Sequence, residues 1–472
     1  MKVGMTISGL LLGGGALVGG YFLSQPVATA VPRGDDGSGG VASTGPDVIV
    51  GAIPDVSKWG SAVFNGVNTS AYSFGSTSCN IGNVQLDWQD TTNQHPVIPQ
   101  NMYRLKDGRF EQIGMSWVKH GFCALQQTLC GTCTPAGSGC PHLLGIGCSD
   151  PYDSNLNGQT SGLGPRSQIN AASGFFPYPF SAPSNGTPAV LNRRLQVPID
   201  ELNPSLNPGA QYFAECQYVH PDDAAAGNDN NNASYRKFTV GSLASGAYTL
   251  SLSGSTFQQK PAIYAWQAAD AAVTNVTIDV ADDGRFLAAY KVTDNGNGTW
   301  HYEYAISNLN SDRSGGSFSL PIPAGVNVTN IGFHDIAYHS GEAYSSADWT
   351  GVVADGAITW STESFATNQN ANALRWATLY NFRFDADMPP TDATATLGLF
   401  KPGTPSSVTF AAKGPTAPVL PCVGDFNGDG QRDGADLGSL LGAWGTAGGD
   451  LNADGTTDAA DLAILLGGWG PC

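Results

Sequence analysis

The sequence predicts a mainly β protein: one or two β-sandwich-like modules with long, disulfide-stapled loops, closed by a small α-helical unit at the C-terminus. Three observations predict it. Between residues 271 and 412, about nine β-branched and aromatic runs follow at close spacing, each broken by turn residues. All nine cysteines lie beyond residue 78, five of them within 123–148, as in exported proteins stapled in an oxidising compartment. After residue 421 an acidic, glycine-punctuated phrase occurs twice, each time followed by apolar residues at helical spacing.

At the N-terminus Lys2 precedes an apolar run, and Ala28-Thr29-Ala30 fits a small-x-small cleavage site. The expectation is a signal peptide over 1–30, cut after Ala30, and a secreted or cell-surface protein. An uncleaved anchor is the alternative. Residues 31–47 read as a Gly/Ser/Asp linker. No later stretch approaches the roughly 20 apolar residues that span a bilayer, so no membrane span is expected in the mature chain.

A first, cysteine-containing β-rich module is expected over 48–270. "MYRLKDGRFEQIGMSW" (102–117) sets Asp107-Gly108 between two alternating runs, a hairpin signal. Residues 128–190 lack periodicity and are rich in Gly, Pro, Asn and Cys, which reads as long surface loops. "YRKFTVGSLASGAYTLSLSG" (235–254) alternates and should form two strands. Cys130 and Cys133 form a C-x-x-C; a zinc site with His120 or His142 is the sharper reading, redox chemistry a weaker one, and disulfide staples the plainer one. Seven cysteines lie upstream of the tail, so one is expected to be free or to pair between chains.

A β-sandwich module is expected over 271–412, with "DNGNG" (294–298) as a hairpin turn. Residues 413–421 read as a Pro-rich linker. The net charge is −18 with 21 basic residues, which argues against a nucleic-acid partner, since phosphate binding needs a basic surface.

The tail, 422–472, is the most specific signal. Its copies align at a spacing of 25 residues. Asp425, Asn427, Asp429, Asp433 and Asp436 match Asp450, Asn452, Asp454, Asp458 and Asp461. These fall at positions 1, 3, 5, 9 and 12, where a calcium loop needs oxygen ligands. Gly430 and Gly455 stand at position 6, where the chain turns sharply. Gln431 and Thr456 stand at position 7, which offers a backbone carbonyl. Two Ca²⁺ ions are the expected cofactors. Leu437, Leu440, Leu441 and Trp444, repeated as Leu462, Leu465, Leu466 and Trp469, follow the i, i+3, i+4, i+7 spacing of a helix face, and the two faces are expected to bury each other. Cys422 and Cys472 bracket the pair and are expected to close it with a disulfide.

This tail resembles the type I dockerin family, whose duplicated segment is half an EF-hand. The resemblance covers 51 of 472 residues. It implies calcium binding by the two ligand sets and docking to a cohesin-like or other scaffold or surface protein. It further implies a setting of polysaccharide breakdown or carbohydrate binding. The chain departs from the family at positions 10 and 11 of each loop, where Gly434-Ala435 and Ala459-Ala460 replace the hydroxyl residues common there. The upstream modules resemble secreted bacterial proteins that end in the same kind of tail.

Upstream chemistry is less legible. Glycoside hydrolysis needs two carboxyl groups about 5 to 9.5 Å apart. The chain has six glutamates, none in a nucleophile-elbow or zinc-protease motif. Glu303 in "HYEYAIS" shares a strand face with His301 and Ala305, and Glu215 lies near His220, Asp222 and Asp223. His334, Asp335, His339 and Glu342 crowd "GFHDIAYHSGEAY", a candidate transition-metal site. Trp349 in "YSSADWTGV" reads as a loop residue free to stack on a sugar. The expected function is extracellular attachment or assembly through the calcium-binding tail, with β modules that bind a surface or polysaccharide. The alternative is a polysaccharide-degrading enzyme, an O-glycosyl hydrolase, whose catalytic residues the sequence does not reveal.

Overall fold

The computed structural model describes residues 28–29, 43–182, 186–418 and 422–472. The expected export segment and linker lie outside the described residues, save for Ala28–Thr29 and 43–47. The protein is mainly β.

Eight strands build the first module's main sheet: β1 (Val56–Phe64), β2 (Val67–Phe74), β3 (Gln100–Lys106), β4 (Arg109–Met115), β5 (Leu195–Pro198), β6 (Gln211–Gln217), β7 (Ala233–Ala244) and β8 (Ala247–Phe257). They run antiparallel in the order β8-β7-β6-β3-β4-β5-β2-β1. Asp107 and Gly108 turn β3 into β4 with φ of 51° and 79°, the two positive values a tight hairpin needs. Bulges in β1, β4, β7 and β8 bend the sheet. It curls until its edges meet, where Lys58 Nζ donates to Ala244 O at 2.6 Å. Tyr72, Phe74, Met102, Ile113, Leu195 and Phe238 fill the enclosed core.

The second module is the β-sandwich. One sheet has five strands: β9 (Thr274–Asp279), β10 (Arg285–Asp294), β11 (Trp300–Asn308), β16 (Leu379–Ala386) and β13 (Val328–His334), in that order. The facing sheet runs from Ala28–Thr29 through β18 (Ser407–Pro415), β17 (Pro390–Leu399), β12 (Gly315–Pro321) and β15 (Ala357–Ser361) to β14 (Thr350–Ala354). Phe286, Tyr304, Phe318, Trp360, Phe382 and Phe410 pack between the sheets. Leu287, Ala289 and Ala305, on the other face, pack against Tyr103, Phe110 and Phe213 of the first module. The five-stranded sheet is thus covered twice, so "FLAAY" (286–290) is buried without alternation.

The hairpin β14–β15 corrects one expectation. Asp355 and Gly356, with φ of 51° and 75°, turn it, and "VVADGAIT" carried that signal. Trp349 therefore leads into a strand rather than a free loop. It is 3% exposed, stacks on Phe333 at 5.7 Å and donates from Nε1 to Asn372 O. It offers no face to a sugar.

Polar bonds tie the modules together. Leu379 N donates to Gln112 Oε1 at 2.9 Å, and Asn381 Nδ2 to Phe110 O at 2.9 Å. Arg109 Nε reaches both Glu303 oxygens at 3.1 Å. His301 sits between two carboxylates, with Nδ1 2.6 Å from Asp385 and Nε2 3.1 Å from Glu303. The Glu303 contact first, then Asp385, raises the affinity of His301 for its proton against the opposing effect of burial. Arg109 and Arg383 face the same cluster, and Asn330 donates to Asp385. A raised value means the stabilisation is complete below the unfolded pKa of about 6.5 and fades as pH climbs through the higher folded one. His301→Gln is therefore expected to cost about 0.5–1 kcal/mol below pH 6. The difference from wild type should shrink toward zero in alkaline buffer. Urea melts across pH check this, and a pH-independent difference rejects it.

The long loops are stapled. Cys79 pairs with Cys130, Cys123 with Cys140 and Cys133 with Cys148. The C-x-x-C is thus divided between two disulfides, which removes its thiolates from zinc and its pair from redox chemistry. His120 lies on the carbonyls of Gly121 and Thr92, and His142 pairs with Asp90. Cys216 is the free thiol, buried in the first core, out of reach of another chain. No helix among the described residues is long and apolar enough to cross a membrane.

Candidate metal centre in the C-terminal repeat

Each half of the tail is a loop followed by a nine-residue helix: α1 (Gly434–Gly442) and α2 (Ala459–Gly467). Asp433 and Asp458 cap them, and Asp436 and Asp461 complete a reciprocal capping box. In this way the residues at loop positions 9 and 12 also start the helix. A short antiparallel pair joins Gln431–Arg432 to Gly470–Pro471. Its counterpart in the other half is Thr457 with Gly445 and Thr446, at N–O distances of 2.9 and 2.6 Å. The halves are therefore related by a pseudo-two-fold. That symmetry brings the ends of the tail together, and Cys422 and Cys472 form the expected disulfide with Cα atoms 5.5 Å apart.

The two loops repeat each other's side-chain bonds with one exception, Gly428 N to Asp425 Oδ1 at 2.7 Å, which the second loop does not repeat. At position 1, Asp425 Oδ2 accepts from Gly430 N at 2.9 Å, and Asp450 Oδ2 from Gly455 N at 2.6 Å. Asn427 and Asn452 accept from the amides of Asp429 and Asp454, both at 3.0 Å. Asp429 and Asp454 accept from Gln431 N and Thr456 N, both at 2.9 Å. Asp436 accepts from Phe426 N and Asp433 N; Asp461 accepts from Leu451 N and Asp458 N. Gly430 and Gly455 have φ of 81° and 93°, the left-handed turn expected at position 6. Position 4 differs: Ala453 takes a φ of 63° where the first copy has Gly428.

Both position-12 carboxyls are buried and held below the usual range, first by the position-9 amide and then by the amides at the loop start. Of the other ligand candidates, Asp425, Asp433 and Asp450 are half-buried and the rest exposed. None of the tail's aspartates joins an ion pair among the described residues. The donors are carboxylates and amide oxygens on a loop whose backbone already makes the required turn, and that chemistry fits a hard divalent cation. The carboxylates of one loop do not close on a point, however: no three lie within 4.8 Å of one another. Each is turned onto backbone N–H groups of its own loop. Asp425 does lie beside the sulfurs of Cys422 and Cys472, but these are joined to each other.

The apolar faces depart from expectation. Leu440 and Leu465 are fully buried between the halves. Leu441, Trp444, Leu466 and Trp469 are 51%, 48%, 50% and 49% exposed. Two nine-residue helices joined about a pseudo-two-fold bring together only one leucine each, so the outer Leu/Trp pair of each copy remains at the surface.

The other candidates are occupied structurally. Glu215 is buried and accepts from Asn101, Tyr103 and Ala262 N. Glu303 is taken up by Arg109 and His301. Asp335 accepts from Asn372, His339 lies on Ser340 O and Arg194 O, and Glu342 accepts from Arg166 N and Ser167 N. These and His334 form no metal-sized cluster among the described residues. A groove of about 570 Å³ is lined by Val276, Phe410 and their neighbours, with Asp392 as its carboxylate, and Asp392 pairs with Lys413.

No family model matches the chain, and no curated protein matches it. Among solved structures, a serine-rich repeat adhesion glycoprotein from Streptococcus agalactiae aligns with 72% of this chain and 88% of its own, at 7% identity and a TM-score of 0.19. That score is too low to carry an argument about fold or function.

Proposed function

We propose that this is an extracellular modular protein whose C-terminal repeat binds two calcium ions and attaches the rigid β body to a surface or scaffold protein. The observation that carries the reading is the near-complete repetition of the two loops' bonds, together with the matching exposed pairs Leu441/Trp444 and Leu466/Trp469. Asp425, Asn427, Asp429, Asp433 and Asp436 would hold one ion, and Asp450, Asn452, Asp454, Asp458 and Asp461 the other. The carbonyls of Gln431 and Thr456 would add to them. The ions neutralise carboxylates that have no basic partner among the described residues. The exposed aliphatic and indole surface supplies the apolar core of a protein contact. Four disulfides support an oxidising, extracellular setting. A cohesin-like partner and a polysaccharide-related setting rest on the dockerin resemblance.

A pseudo-symmetric plug can present either half to its partner. Asp429→Ala should then weaken attachment only about twofold, the statistical loss of one of two modes, or about 0.4 kcal/mol. Asp429→Ala with Asp454→Ala should abolish it. Pull-down from a surface fraction with each variant, and with a chain ending at residue 418, checks this. Retention of the truncated protein at the wild-type level overturns the reading.

A further inference from the structure

A second oxygen-rich site lies in the first module, where the segment after Gly227 folds over the chain entering the short strand Val48–Ala52. Asp47 and Asp223 are both fully buried there. Asp223 accepts from Val48 N at 2.9 Å and from Asn232 Nδ2 at 2.7 Å. Asp47 accepts from Ser43 Oγ and from Asn231 Nδ2, which is 3.2 Å from each carboxylate oxygen. No lysine, arginine or histidine pairs with Asp223 among the described residues.

The asparagines supply the second observation. Asn231 Oδ1 and Asn232 Oδ1 are buried and have no donor among the described residues. Asn232 is 1% exposed, and its Nδ2 gives one hydrogen to Asp223 and the other to Tyr218 O at 2.9 Å. Flipping the amide would not help, since it would set the oxygen against two acceptors. Asn231 is fixed in the same way by Asp47. The result is two buried carboxylates, each met by an asparagine amide whose own oxygen is orphaned. Acceptors without donors are what a hard divalent cation takes, and two carboxylates balance its charge.

We propose that Asp47, Asp223, Asn231 and Asn232 hold a structural calcium ion that pins the entry strand to the loop after Gly227. This site is separate from the tail and does not depend on it. With no cation, burial first, and then the charges of Asp47 and Asp229, push the Asp223 carboxyl well above its usual range. The rival occupant is therefore a proton on Asp223, with a water serving the amide oxygens.

The test uses the full chain carrying Asp425→Ala, Asp429→Ala, Asp450→Ala and Asp454→Ala, which silences the tail. Native mass spectrometry and calorimetry in about 1 mM calcium should still find one ion per chain, and calcium should raise the melting temperature of the body relative to EDTA. Adding Asp223→Asn should remove both effects. If the tail-silenced chain binds no calcium and melts alike with calcium and EDTA, the proposal is overturned. That arm needs no change at Asp223, so a misfolded Asp223→Asn leaves the answer intact. Failure of the tail reading is seen separately, as a wild-type chain that binds no more calcium than the tail-silenced one.

Discussion

Withdrawing calcium from the full chain is expected to unfold residues 422–472 while the β body stays folded. The tail has eight aspartates and Arg432 as its one basic residue, and its fully buried large side chains are Leu440 and Leu465. So small a core does not offset the entropy of ordering 51 residues. Two ions bound at about a thousand times their dissociation constants would each add about 4 kcal/mol. Hydrogen exchange read by mass spectrometry should show protected amides in α1 and α2 with calcium, and exchange faster by at least a hundredfold in EDTA under reducing conditions, about 2.7 kcal/mol. The strands β10, β11 and β16 should not change. Equal protection of both helices with and without calcium would defeat the calcium reading of the tail.

The second large effect is expected at Arg166. Its guanidinium is buried where the modules meet. It donates to Ser116 O at 2.6 Å, Ala377 O at 3.0 Å, and Gln100 O and Asn101 Oδ1, both at 2.9 Å. Its own amide and that of Ser167 hold Glu342, and its ring neighbour is Trp376. Burial lowers its pKa to about 10, which leaves it charged at neutral pH. Arg166→Ala removes one donor from each of three backbone carbonyls, of which Ala377 O keeps Asn101 and Gln112 and Gln100 O keeps Ser116 N, and it takes the guanidinium charge away from buried Glu215 and Glu342. A loss of about 3–5 kcal/mol is expected, or roughly 4–6 °C in melting temperature for a body of this length. Calorimetry checks it, and a shift under about 2 °C would mean that Arg166 does not hold the modules together. The tail should keep its calcium response in this variant.

Local signals were legible wherever chemistry acts over a few residues. Asp107-Gly108 and the DNGNG turn marked hairpins because few residues accept positive φ. The tail's loops, helix starts and glycine turns could be read because one repeat fixes all of them within twelve residues. Asp355-Gly356 carried the same kind of signal, and the hairpin it makes took Trp349 out of solvent.

By itself the sequence determined the β class, the two-stage organisation of strands then tail, the stapled loops and the repeated oxygen-bearing residues of the tail's loops. Each follows from composition, period or spacing along the chain. Only the tertiary structure decided which of the seven upstream cysteines pair, since pairing depends on Cα separation across loops and not on order in the chain. It also decided that the five-stranded sheet is buried on both faces, which turned Glu303 from a strand-face carboxylate into half of an inter-module ion pair with Arg109. It left one Leu/Trp pair of each tail helix in solvent, because two short helices have only one facing seam. And it brought Asp47 beside the loop of Asp223, Asn231 and Asn232. Burial and the count of donors to each oxygen are properties of the packed chain, and no spacing along the sequence records them.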